Sequence, residues 1–283
     1  MAFRYRMLAP LVALFVAVVG YPMIYSFWLS LTNYRITRTG QTKFVGLAQY
    51  QALLSNDSFW SALMVTATFM VTAVGLELVI GLSLAMALRR QKRVRDFTRS
   101  FLLSPMFVTP IAVGLMFRFL LNPQLGPLNL LLEKLHLSYD YFGSGTALFT
   151  LAFIDVWQWT PFMVLMLLAG LESLPRAPFE AARVDGASAW LTFRSITIPM
   201  LSGVLVVAVL LRGLDAMRVF EYVYAITRGG PGTDTQTIQF LIYQTGIQFF
   251  RLGQASAMAY IVLVIVLALV IILSRRMVKE ARR

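Results

Sequence analysis

The chain has 283 residues, 58% of them hydrophobic and only 13% charged, with a mean hydropathy of +0.72. Soluble globular domains carry about 25% charged residues, so this composition points to a polytopic membrane protein. The formal net charge of +12 sits at the ends of apolar runs and not in a basic stripe interleaved with aromatics, which excludes nucleic-acid binding and makes the charge a signal of orientation in the bilayer.

There is no cysteine, which excludes disulfides, zinc-thiolate sites and thiol catalysis. The one histidine, His136, falls in a loop and cannot build a metal centre alone. Spans of about 20 residues each predict an all-α fold of six transmembrane helices in a single membrane domain, residues 1–283.

The first span is predicted from Met7 to Leu31, with Tyr25, Phe27 and Trp28 as interface anchors near its far end. Its apolar stretch is too long for a signal-peptide core, and no small-x-small site closes it. The second runs from Trp60 to Leu88, capped by the turn-like Ser55-Asn56-Asp57-Ser58, and the third from Phe101 to Leu121. After a loop holding Pro123, Gly126, Pro127 and the apolar patch Leu128–Leu135, the fourth runs from Ala147 to Leu171. The fifth runs from Leu201 to Ile226 and the sixth from Ala255 to Ser274. With the N-terminus inside, 16 basic residues lie on the inner side, among them Lys92, Arg93, Arg95 and Arg99, and six on the outer side. That bias predicts N-in, C-in.

Charges inside a span are costly and should face a partner helix or a watery cavity. In the fourth span Asp155, Gln158, Trp159 and Phe162 recur at i, i+3, i+4, i+7 and share a face, near a Pro161 that disfavours a continuous helix. A carboxylate and an amide can hydrogen-bond sugar hydroxyls while an indole covers a sugar ring; a plain packing stripe is the competing idea. In the fifth span Arg212, Asp215, Arg218 and Glu221 alternate in sign at i, i+3, either as a salt-bridge ladder or as a polar lining for a solute path. Glu77 and Arg118 are isolated charges on other spans that can pair with each other or with this set.

Between the fourth and fifth spans, residues 172–199 carry a pattern that a mere linker does not need. Pro175 and Pro178 start a short helix, and Glu180-Ala181-Ala182 is followed by Gly186 as a turn. Ser188 caps a second short segment with Trp190, Leu191 and Phe193, and Ile196-Thr197-Ile198-Pro199 leads into the next span. Phe179, Ala182 and Gly186 are expected on one face, Glu180 and Arg183 on another. This spacing resembles the cytoplasmic EAA loop of permease subunits in bacterial ABC importers, with Ile198 where the family has Leu. Thr227-Arg228-Gly229-Gly230-Pro231 and Gly253-Gln254-Ala255-Ser256-Ala257 are similar to the carbohydrate-uptake branch, of maltose, trehalose and glycerol-phosphate type.

The resemblance implies a type I importer permease fold in a bacterial or archaeal cytoplasmic membrane. It implies alternating access coupled through Glu180, Ala181, Ala182 and Gly186 to a separate ATPase. The implied partners are a second permease subunit, two ATP-binding subunits, an extracytoplasmic solute-binding protein, membrane lipid and a small carbohydrate. It implies solute contacts from the fourth span and the middle of the fifth, hence Asp155, Gln158, Trp159, Phe162, Arg212 and Asp215. The chain holds no Gly-x-x-x-x-Gly-Lys-[Ser/Thr], so ATP would be bound by the partner, and no cofactor or metal is expected on this subunit. A self-contained secondary transporter, using the intramembrane charges for coupling ions, is the alternative.

Overall fold

A computed structural model describes residues 2–90, 101–134 and 139–281, the side chains of 2–7, 39, 90, 133 and 273–281 excepted. Lys92, Arg93, Arg95, Arg99 and His136 lie outside the described residues. The described residues form helices and no strand; Thr32 and Phe44 make one isolated bridge. In chain order the helices are α1 (Ala2–Phe15), α2 (Tyr21–Ser30), α3 (Ala48–Leu54), α4 (Asp57–Arg90), α5 (Pro110–Leu120) and α6 (Pro127–Lys134). They continue with α7 (Ala147–Ser173), α8 (Ala177–Val184), α9 (Ala189–Thr192), α10 (Ile198–Ala216), α11 (Ile238–Tyr243) and α12 (Leu252–Ala281). Among the described residues five helical stretches are long and apolar enough to cross a membrane, or six if one bent pair is counted as a span.

That bent pair corrects the expected third span. Phe101–Phe107 and Pro110–Leu120 meet at 105° instead of running on as one helix. The cause is local: Val108 and Thr109 are extended, as the residue before a proline tends to be, and Pro110 opens α5 where its missing N–H costs nothing. The fifth span is corrected at both ends. Its helical run begins at Ala189, passes a π-helical turn at Phe193–Thr197 and ends at Ala216. The π turn directly precedes Pro199, which cannot donate the usual i→i−4 bond, so Pro199 sits inside the span and not at its start. Beyond Ala216 the helix is interrupted at residues 217–220 and resumes briefly to Thr227. Thr237 Oγ1 donates to the Val219 carbonyl at 3.1 Å, replacing a helical partner at the break. By contrast α7 runs through Pro161 without interruption.

The chain divides into two compact units. The first comprises Met1–Ser61 with Ile238–Ala268. There α2 packs on the start of α12: Phe27 and Tyr260 stack edge to face at 5.3 Å, and the Tyr260 hydroxyl donates to the Met23 carbonyl at 2.5 Å. The second comprises Ala62–Thr237 with Leu269–Arg283 and is built around α7. Leu151, Ile154, Met163, Leu167 and Leu171 of α7 are fully buried. Met163 packs over Gly81 of α4, and Leu201 and Val204 of α10 pack over Gly170. Small residues at such crossings let helices approach closely where lipid supplies no hydrophobic drive.

Candidate functional site

The second unit holds a buried charge network centred on Arg212 of α10, whose residue is 1% exposed. Its Nε donates to Glu77 Oε2 at 2.7 Å and its Nη2 to Glu77 Oε1 at 2.8 Å, a two-point grip on a carboxylate of α4. Nη2 also reaches Asp155 Oδ2 of α7 at 2.7 Å, and Nη1 reaches Asp215 Oδ2 one helical turn on at 2.5 Å. The indole of Trp159 lies against the guanidinium, 5.0 Å from ring centroid to Cζ. These four bonds to three carboxylates, one of them gripped at two points, exceed the three N–H donors of a lysine ammonium but not the five of a guanidinium. The network therefore ties α4, α7 and α10 together.

The expected four-charge ladder exists only as the Arg212–Asp215 pair, because the helix ends at Ala216 and Arg218 instead donates to the Leu214 carbonyl at 3.3 Å. Glu77 and Arg118 do not pair with each other. Glu77 joins Arg212, whereas Arg118 donates to the Ala225 carbonyl at 3.0 Å.

Above the network a cleft of about 340 Å³ opens between α5, α7 and the broken end of α10. Asp155, Trp159, Asp215, Arg218, Glu221 and Tyr222 line it, with Pro110 at one edge. The break at 217–220 keeps Arg218 and Glu221, both exposed, out of a continuous apolar helix. The volume is at the small end of ordinary ligand pockets, about 300–1,000 Å³.

Of the residues expected to meet the solute, Asp155, Trp159 and Asp215 line this cleft. Arg212 lies beneath it, held by its carboxylates, and Phe162 is half-buried and does not line it. Gln158 is fully buried, with both ends of its amide occupied. Its Nε2 donates to the Val108 carbonyl at 2.6 Å and its Oε1 accepts from the Tyr222 hydroxyl at 2.6 Å. It thus satisfies the carbonyl freed by the bend before Pro110. Tyr222 and Glu221 complete the cleft although neither was singled out as a solute ligand; the end of the sign-alternating run pointed at Glu221, and nothing in the sequence marked Tyr222.

The loop after α7 folds as its punctuation dictates. Pro178 lies in the first turn of α8, and Gly186 ends it at φ +70°, a conformation that favours glycine. Ala187 N–H bonds the Ala182 carbonyl at 2.9 Å and Gly186 N–H the Arg183 carbonyl at 3.2 Å, a glycine-closed helix end. Ser188 Oγ then accepts from Leu191 N–H at 3.2 Å and starts α9. Ala182 is buried and the Phe179 ring lies under the Arg89 guanidinium at 5.3 Å, so these two form the inward face. Gly186 does not join them: with Glu180 and Ala181 it is exposed, beside the apolar Val184, Trp190 and Leu191, exposed by 88%, 68% and 53%.

Residues 77–283 match the family described as binding-protein-dependent transport system inner membrane component. The chain is 37% identical over 273 residues to the trehalose/maltose transport system permease protein MalF of Thermococcus litoralis, covering 95% of this chain and 91% of that protein. It is 36% identical over 262 residues to the probable ABC transporter permease protein y4oQ of Sinorhizobium fredii, covering 92% and 85%. In fold it is similar to a chain in the crystal structure of a bacterial ABC transporter involved in import of the acidic polysaccharide alginate. That match has a TM-score of 0.84 at 23% identity and covers 98% of this chain and 95% of the other. The secondary-transporter alternative is thereby set aside, and the chain belongs to the family of inner-membrane components of binding-protein-dependent transport systems.

Proposed function

We propose that this chain is the permease subunit of an ATP-driven importer and that its cleft passes a neutral sugar or polyol. A binding protein would deliver solute from outside. Two ATP-binding subunits would drive alternating access through the Glu180 loop, and a second, different permease would complete the path. The exposed apolar side chains around Gly186 support docking: Val184, Trp190 and Leu191 are exposed by 88%, 68% and 53%, even though the Trp190 ring packs on Phe193 at 5.5 Å. The 16-to-6 charge bias supports N-in, C-in and a cytoplasmic Glu180 loop.

The observation that carries the solute class is that four of the five N–H donors of Arg212 are already taken by carboxylates. At most one Nη1 N–H remains, so it has no donor pair to offer an anionic solute. The rest of the cleft presents Asp155, Asp215 and Glu221 against Arg218, together with an indole and a phenol. Carboxylates accept hydrogen bonds from sugar hydroxyls, and an aromatic face covers the apolar face of a ring. The same acidic excess repels phosphate or carboxylate. The test is ATP-dependent uptake in vesicles carrying the whole importer. A neutral disaccharide such as trehalose or maltose should be accumulated, and glycerol phosphate should neither enter nor compete. Uptake of the anion in preference to the neutral sugar would overturn the assignment.

A further inference from the structure

The first unit carries a second polar recess, of about 250 Å³, lined by Asn33, Arg35, Arg38, Gln49, Arg251 and Gln254, with Tyr34 and Gln41 at its rim. Three guanidiniums face one opening, and no carboxylate lines it. Among the described residues no acidic side chain pairs with Arg35, Arg38 or Arg251. Asn33 Oδ1 already accepts from Lys43 N–H at 2.7 Å, so what its amide can offer the recess is N–H donors.

The backbone gathers these like charges against their repulsion. Ile36 N–H bonds the Phe250 carbonyl at 3.1 Å and Gly253 N–H bonds the Tyr34 carbonyl at 3.1 Å, stitching the segment after α2 to the start of α12. A Cβ at Gly253 would collide with the Thr32 carbonyl oxygen, so only glycine permits the approach. Phe250, just before Arg251, is held at φ +58°, in the left-handed region that a bulky residue rarely adopts. Strain of this kind persists where surrounding structure over-determines it, and it concentrates at ligand sites.

The recess also lies at a definite depth. It begins three residues beyond the end of α2, whose exposed Tyr25 and Trp28 form the aromatic anchor of an apolar span. A ring of arginine and amide donors just past that anchor stands at the level of lipid headgroups. We infer that this recess is a binding site for one phosphate-class oxyanion, carried by an anionic phospholipid headgroup or by a soluble phosphate. Three arginines supply paired N–H donors to the oxygens, which is the geometry guanidinium offers phosphate. The site shares no residue with the solute cleft and does not depend on the transport assignment.

The experiment reads arginine modification by phenylglyoxal, peptide by peptide, in the protein held in phosphatidylcholine nanodiscs. One arm replaces part of the lipid with phosphatidylglycerol and another adds inorganic phosphate to the neutral discs. Arg35, Arg38 and Arg251 should be protected in at least one arm while exposed Arg176 is modified as before. Protection by phosphatidylglycerol alone assigns the headgroup, and protection by both assigns a soluble anion as well. Arg251→Gln should raise the amount of protecting phosphate or phosphatidylglycerol needed at Arg35 by about tenfold, the scale of one lost charge-assisted bond. Equal modification of all three arginines in every arm would overturn the site. Protection that arises only when the solute-binding protein is added would overturn it too, and would give the recess to a protein carboxylate.

Discussion

Arg212 shows how one side chain can organise a membrane-embedded site. Desolvating it is tolerable only because Glu77, Asp155 and Asp215 surround it, and removing one partner of a buried ion pair costs about 3–5 kcal/mol. Arg212→Lys keeps the charge but has three donors for four bonds and cannot grip Glu77 at two points in a plane. It should lower the thermal unfolding midpoint of the purified protein, whereas Asp215→Asn, at a half-exposed position, should lower it less. Gln158 separates two roles that the sequence left open. If it holds the Val108 bend and Tyr222, Gln158→Leu leaves two polar groups unsatisfied and should cost about 1–3 kcal/mol of stability. An uptake KM that rose in Gln158→Leu with the melting midpoint unchanged would make it a solute ligand instead. Trp159→Ala, which removes no charge, should raise the uptake KM by about tenfold or more, on the scale of buried Trp anchors, and Trp159→Phe should recover part of it. Asp155, Trp159, Arg212 and Asp215 could be marked in the sequence because charge and indole stand out in an apolar run. Glu77 could be offered to this set only as one of two alternatives, the other being Arg118, since its partner is 135 positions away.

At the scale of elements, the helices that read most clearly were those with uninterrupted apolar runs, such as α7 and the run from Asp57 to Arg90. Misreadings arose where a local backbone rule competed with hydropathy. Val108 and Thr109 belong to an apolar stretch, yet both are extended, Thr109 because it precedes Pro110, and hydropathy averaged over a window does not register one proline. The interruption at 217–220 contains neither glycine nor proline; its supports, Thr237 and the cleft, come from elsewhere in the fold. The Glu180 loop was legible down to its caps because Pro178, Gly186 and Ser188 act through near neighbours. Its function can be separated from its folding at Gly186. A Cβ there meets nothing within 4 Å, so bulk is not excluded by this chain. Asparagine tolerates the left-handed conformation. Gly186→Asn should therefore insert normally and yet weaken solute-stimulated ATP hydrolysis in the assembled importer. If stimulation stayed at the native level, close docking against bare backbone at Gly186 would be wrong.

For the whole molecule, composition and the apolar runs already indicated a multi-pass membrane protein, the resemblance of the Glu180 loop implied a permease, and family membership agrees. The proposed sidedness rests on the bias of basic residues at the span ends. Because the chain has no cysteine, single cysteines report it cleanly. Gly40→Cys should react with an impermeant maleimide in intact cells, and Asp185→Cys only after permeabilisation; the reverse pattern would invert the topology. The central claim joins the cleft to a partner ATPase. It is tested most directly by uptake of a neutral disaccharide into proteoliposomes carrying this chain with its second permease and ATP-binding subunits. Uptake should require both the solute-binding protein and ATP hydrolysis, and should persist when ion gradients are collapsed. Uptake that continued without ATP and stopped on loss of an ion gradient would contradict the account.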